Sequence, residues 1–225
     1  MRYENFKKVA ETGIPIIAFL DPQSVEVVKE FNLSNLFPVC ITLEELETHQ
    51  MIQNIPFTLP EHRCPKKDTV EFMTIMHAKA EFLHRATQIN PFQTKCFAWM
   101  DFSLSYIFKE MDKSLEHLIF LSKQNYKEKL FVIPGCWSKG DRLDNIWNQI
   151  HWRFCGGFFI ADQQSIQEFY TLYKDTLFNI LSEKKKMIWE TNIWALFEMY
   201  YNWNPTWYLA DHNDSIHKVP YSCFL

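Results

Sequence analysis

Phe154-Cys-Gly-Gly-Phe-Phe-Ile-Ala161 is an apolar run of strand length, and the residues after it change period. Ile166, Phe169, Tyr170, Tyr173, Leu177, Ile180 and Leu181 recur at helical spacings, which places them on one face of a helix. A buried strand feeding an amphipathic helix is the repeating unit of α/β proteins, and the rest of the chain repeats it.

Toward the C-terminus the next helix is predicted over residues 190–202, with Ile193, Leu196, Phe197 and Tyr200 on one stripe. Residues 206–210 read as a last strand before the polar Asp211-His-Asn-Asp214. The one basic cluster, Lys184 to Lys186, follows the preceding helix and reads as its solvated end, where cations suit the helix dipole. Toward the N-terminus residues 129–134 and 96–101 read as strands around a helix at 114–123. Residues 68–88 read as one long helix with Phe72, Met76, Leu83 and Ala86 on its apolar face, stopped by Asn90-Pro91.

Residues 51–65 carry three prolines and little periodicity, so a surface excursion is expected there. Before it come a helix at 3–12 stopped by Gly13 and a strand at 14–20 ended by Asp21-Pro22. A helix at 25–31 capped by Ser24 and a strand at 37–42 complete this part. The expectation is one α/β domain over residues 1–225, with a Rossmann-like, mixed and mostly parallel sheet flanked by helices.

A net charge of −4 argues against a nucleic-acid binder. No run approaches the ~20 apolar residues of a bilayer span, and residues 1–10 are too charged for a signal peptide. The six cysteines include no Cys-x-x-Cys pair, which fits reduced thiols in a cytoplasmic protein. Cys96 and Cys155 lie in apolar runs, where cysteine behaves as a small hydrophobe. The aromatic share, 16%, is high enough to allow for a homodimer interface.

Several residues stand out chemically. Asp101 ends a strand, where it could hold a divalent cation beside a diphosphate or cap a helix beginning near Ser103. Lys79 lies on an apolar stripe, which calls for an anion: a diphosphate or a buried carboxylate. His77, Glu81 and His84 share a helix side that is either a metal face or a solvated polar one. Gly156-Gly157 inside a bulky strand marks a bulge or a close ligand approach. Glu190 opens its helix, as the dipole favours, or serves as a catalytic carboxylate. His212 beside carboxylates could ligate a metal or bond its neighbours, and His217 is a weaker alternative.

An ordered set of segments resembles the HtrL/YibB family, placed among GT-A-type glycosyltransferases. They are His77-Ala-Lys-Ala-Glu-Phe-Leu83, Asn90-Pro-Phe, Phe97-Ala-Trp-Met-Asp-Phe-Ser103, Phe154 to Ala161, Trp189-Glu-Thr-Asn192 and Trp207 to Asn213. The resemblance implies a GT-A-like fold moving a sugar from a nucleotide sugar, UDP-linked, to a glycan or protein acceptor. It implies Mn²⁺ or Mg²⁺ held by Asp101 and His212, and Glu190 as a base or sugar-orienting acid. Lys79, Ser103, Gly156, Gly157 and Asn192 would face the donor. Two departures stand against it: Ser103 replaces the second acid of Asp-x-Asp, and the first strand of such enzymes is missing or shortened. They leave a second expectation, a non-catalytic carbohydrate- or protein-binding module on a degenerate transferase fold.

Overall fold

The computed structural model describes residues 2–225; Met1, which begins the charged N-terminal stretch, lies outside them. Helix α1 (Arg2–Ala10) ends three residues before Gly13, whose φ of +80° only glycine adopts without strain. Strand β1 (Ile16–Leu20), helix α2 (Pro22–Lys29) and strand β2 (Leu36–Cys40) form a crossover whose two strands pair in parallel. The cap of α2 differs from expectation. The Asp21 carboxylate accepts the Gln23 and Ser24 N–H groups, while Ser24 sits inside the first turn and donates its hydroxyl to Asp21. Pro22 explains the shift, because its fixed φ starts the helix early and it lacks the N–H that a first-turn residue would leave unpaired.

Helix α3 (Glu47–Gln53) takes the beginning of the stretch read as a surface excursion; irregular backbone begins only after it. The long helix expected next is two helices, α4 (Val70–His77) and α5 (Lys79–Ile89), meeting at Ala78, where ψ is −2°. That break turns the inward face. Leu83 and Ala86 are buried as expected, but Phe72 and Met76 are half-buried, and Met73, Thr74 and His77 point inside. Asn90, left-handed at φ 30°, closes α5 where the Asn-Pro pair marked its end.

The remaining elements are β3 (Cys96–Met100), α6 (Met111–Ser122), β4 (Phe131–Gly135), β5 (Phe158–Asp162), α7 (Gln163–Asn179), α8 (Glu190–Tyr200) and β6 (Thr206–Leu209). Between α7 and α8 a π turn, Ile180–Lys184, ends at left-handed Lys185, so the lysine cluster does finish a helix. Strand order is β3-β5-β4-β6, with β5 antiparallel to both neighbours and β4 parallel to β6; the β1–β2 pair is a separate sheet. The architecture is mixed α/β.

Both faces of the larger sheet are covered, which is why its strands read as unbroken apolar runs. Phe131, Ile133, Phe159 and Ala161 face Phe169 of α7 and Trp194 and Phe197 of α8. Val132, Phe158, Ile160 and Tyr208 face Leu118 and Leu121 of α6 and Ile216 of the C-terminal segment. Helix α8 is buried all round from Glu190 to Glu198, whereas Tyr200, expected on the buried stripe, is exposed because it ends the helix beyond the core. Three aromatic contacts tie the elements around the small sheet to β3 and the residues that follow it. Phe6 stacks on Phe102 at 4.3 Å, and Phe82 lies between Phe19 and Trp99 at 5.1 and 6.0 Å. Among the described residues no helix is long and apolar enough to cross a membrane.

Candidate functional site

Asp101 follows the last residue of β3, and its backbone N–H donates to the Gly157 carbonyl at 2.9 Å. Gly156 and Gly157 therefore lie just before β5, not within it as their apolar neighbours implied. Lys79 opens α5 and Glu190 opens α8. Four of these five residues meet at the Lys79 ammonium. The Lys79 Nζ donates to the Gly156 carbonyl at 2.8 Å and to Glu190 Oε1 at 3.0 Å, and it stands 3.2 Å from Asp101 Oδ1. An ammonium carries three N–H bonds, and these three partners account for them.

Exposure separates the members. The Lys79 and Glu190 side chains are 2% and 8% exposed, while that of Asp101 is 34% exposed and is the one that reaches solvent. Burial works against the charge on Lys79, but the Asp101 and Glu190 carboxylates outweigh it and hold its pKa above the ordinary lysine value. Burial likewise works against the Glu190 anion, and the Lys79 charge and hydrogen bond overcome it, so its pKa lies below the ordinary carboxylate value. The α8 N-terminus favours the same charge. The group sets one ammonium against two carboxylates, a formal charge of −1.

The glycines are explained by the same packing. A Cβ on Gly156 would lie 2.7 Å from Glu190 Oε1 and 3.1 Å from Lys79 Nζ. On Gly157 it would lie 2.8 Å from Leu104 Cδ1 and 3.7 Å from Asp101 Oδ2. Trp99 was not among the residues singled out, yet its Nε1–H donates to Asp101 Oδ1 at 2.7 Å and its ring lies 5.9 Å from the Lys79 ammonium. The available signal was its position two residues before Asp101, on the same side of the strand.

Other expected residues stand elsewhere. Ser103 Oγ accepts from Arg2 Nε at 2.9 Å. His212 is exposed, with Nε2 at 2.8 Å from the Tyr106 hydroxyl. Asn192 is fully buried: its Oδ1 accepts the His151 N–H, and its amide donates to the Ile146 and Gln149 carbonyls, so it fastens the 146–151 loop. His217 is buried against Phe108 and His117.

The His77, Glu81 and His84 side is not a solvated face, since His77 and Glu81 are buried and His84 is half-buried. The three go to different partners. His77 Nδ1 bonds the Tyr173 hydroxyl, His84 stacks on Tyr170, and Glu81 accepts the Glu47 and Thr48 N–H groups at the start of α3. Among the described residues no three His, Cys, Asp or Glu side chains are grouped to hold a metal ion by themselves. Asp101 is thus a single carboxylate, able to offer a cation one ligand by itself.

Fold and site together define a mixed α/β protein with a buried lysine–carboxylate group at the carboxyl end of a sheet strand. The family described as "Bacterial protein of unknown function (HtrL_YibB)" matches residues 37–214, a span that contains the whole group, and the chain belongs to that family. Neither the curated proteins nor the solved structures gave a match.

Proposed function

We propose that the chain transfers a sugar from a nucleotide sugar, a UDP-sugar in the first instance, to a glycan or protein acceptor on a GT-A-like fold. One observation carries this reading: Asp101, Lys79, Glu190 and the Gly156-Gly157 backbone, far apart in sequence, converge at the carboxyl end of β3. Ligands of open α/β sheets bind at such ends. The net negative charge and the solvent-facing Asp101 suit a divalent cation, Mn²⁺ or Mg²⁺, that arrives on the diphosphate and neutralises its charge as it leaves. Lys79 has its donors occupied, so its part is to hold the two carboxylates in place. Glu190 has a lowered pKa, which makes it a weak base, and its burial against Lys79 suits it to offsetting positive charge at the site.

The test is a panel of nucleotide sugars with Mn²⁺, read by thermal stabilisation and by donor hydrolysis, with Asp101→Asn alongside. Stabilisation by a UDP-sugar that requires Mn²⁺ and is lost in Asp101→Asn supports the proposal. No shift and no hydrolysis across the panel overturns it. A second reading, a non-catalytic binding module, is favoured by His212 and Asn192 lying outside the group. Metal-independent binding of a glycan, without donor turnover, would select it.

A further inference from the structure

We propose that Cys136 and Cys155 form a reversible disulfide when the protein meets a peroxide. Their sulfurs lie 3.6 Å apart, and among the described residues these are the two cysteines in sulfur contact. Cys136 follows β4 and Cys155 leads toward β5. The backbone frames the pair on both sides: Cys136 N–H donates to the Trp152 carbonyl at 2.9 Å, and Cys155 N–H to the Pro134 carbonyl at 2.8 Å. A bond needs the sulfurs to close from 3.6 Å to about 2.05 Å.

The two thiols are unequal. Cys136 is half-buried and open to a small oxidant, whereas Cys155 is buried. A hydrogen bond from Cys155 holds the Cys136 pKa below its ordinary value, against opposing effects of burial and of Asp211. The same contact, with burial, pushes the Cys155 thiol up. Cys136 is therefore the attacking thiolate and Cys155 the resolving thiol. The Cys136 sulfur attacks one peroxide oxygen, the O–O bond breaks, and hydroxide leaves as Cys136 becomes a sulfenic acid. Cys155 then gives up its proton and attacks that sulfur, the S–O bond breaks, and water leaves. Two thiols and one hydrogen peroxide yield one disulfide and two waters.

The exposed Cys40 and Cys64 serve as internal controls. The full chain would be treated with stoichiometric hydrogen peroxide, its remaining thiols alkylated under denaturing conditions, and its peptides mapped without reductant. The expected result is a linked peptide pair carrying Cys136 and Cys155, a mass loss of two hydrogens, and full reversal by dithiothreitol. Cys136→Ser and Cys155→Ala should each abolish that link, and Cys155→Ala should leave a sulfenic acid on Cys136 that dimedone traps. Oxidation of Cys136 to sulfinic acid without the link in the unsubstituted chain would overturn the proposal, as would preferential oxidation of Cys40 or Cys64. The readout is independent of any transferase activity.

Discussion

The ammonium of Lys79 donates to Oε1 of Glu190 at 3.0 Å, joining the first residue of α5 to the first residue of α8 in the protein interior. An anion suits the start of a helix and a cation does not, so the pair is balanced only as a unit with Asp101. Lys79→Met would leave two carboxylates facing each other without a counter-charge. Removing one partner of a buried ion pair costs about 3–5 kcal/mol. At about 2–4 °C per kcal/mol for a chain of this length, the melting midpoint should fall by roughly 6–20 °C. Calorimetry checks this, and Lys79→Met/Glu190→Gln should recover part of the loss.

Acid should weaken the fold before the carboxylates titrate. Burial holds His77 at a pKa of about 4, against 6.5 for the free side chain, and His217 is depressed to about 4 for the same first reason. Between those values the unfolded chain binds protons that the folded chain refuses, so stability declines as pH drops from 6.5 toward 4. The fully buried His77 accounts for about 3 kcal/mol of that decline. Glu190 acts lower: its contribution is present above the ordinary carboxylate value of 4.5 and is lost as pH falls through its depressed folded value. Denaturant midpoints measured across this range should slope downward with acid, and His77→Gln should flatten the slope.

Strands and helices were legible because burial on both sheet faces leaves continuous apolar runs, and α7 keeps one stripe from Ile166 to Leu177. The break at Ala78 was not, since no proline or glycine marks it and apolar spacing runs on through it. Lys79 was legible as an anomaly on an apolar stripe. Its partners were not, because Glu190 lies 111 positions away and no local pattern encodes that distance. The same holds for the buried Arg153–Glu198 pair, whose two hydrogen bonds of 2.8 and 2.7 Å join residues 45 positions apart. Asn192 shows the converse: its place beside Glu190 drew it toward a site role, while its helix phase turns it to the 146–151 loop.

That placement of Asn192 separates two outcomes. Asn192→Ala would strip partners from the His151 N–H and the Ile146 and Gln149 carbonyls at once. Each unpaired buried group costs about 1–3 kcal/mol, moderated where water enters. The expected loss is about 3 kcal/mol in urea unfolding, with faster hydrogen exchange confined to residues 146–151. A variant with unchanged stability and a specific loss of nucleotide-sugar binding would return Asn192 to the site.

Gly156 tests whether the charged group tolerates any change in its geometry. Alanine there puts a methyl 2.7 Å from Glu190 Oε1 and 3.2 Å from Thr191 Cγ2, and neither atom belongs to the loose end of a free side chain. Glu190 is held by Lys79, and Thr191 is buried in α8. The backbone of Gly156 must therefore retreat, which draws its carbonyl away from Lys79 and leaves one ammonium N–H unpaired. Overpacking of this kind costs about 1–3 kcal/mol, to which the lost hydrogen bond to a charged donor adds about 1.5–3 kcal/mol. Gly140→Ala is the comparison, because nothing lies within 4 Å of its added methyl and its φ of +87° isolates the backbone penalty. Chemical denaturation should show Gly156→Ala losing at least twice as much stability as Gly140→Ala. Equal losses would mean that the lysine–carboxylate group adjusts freely, and the rigid geometry assigned to it would be wrong.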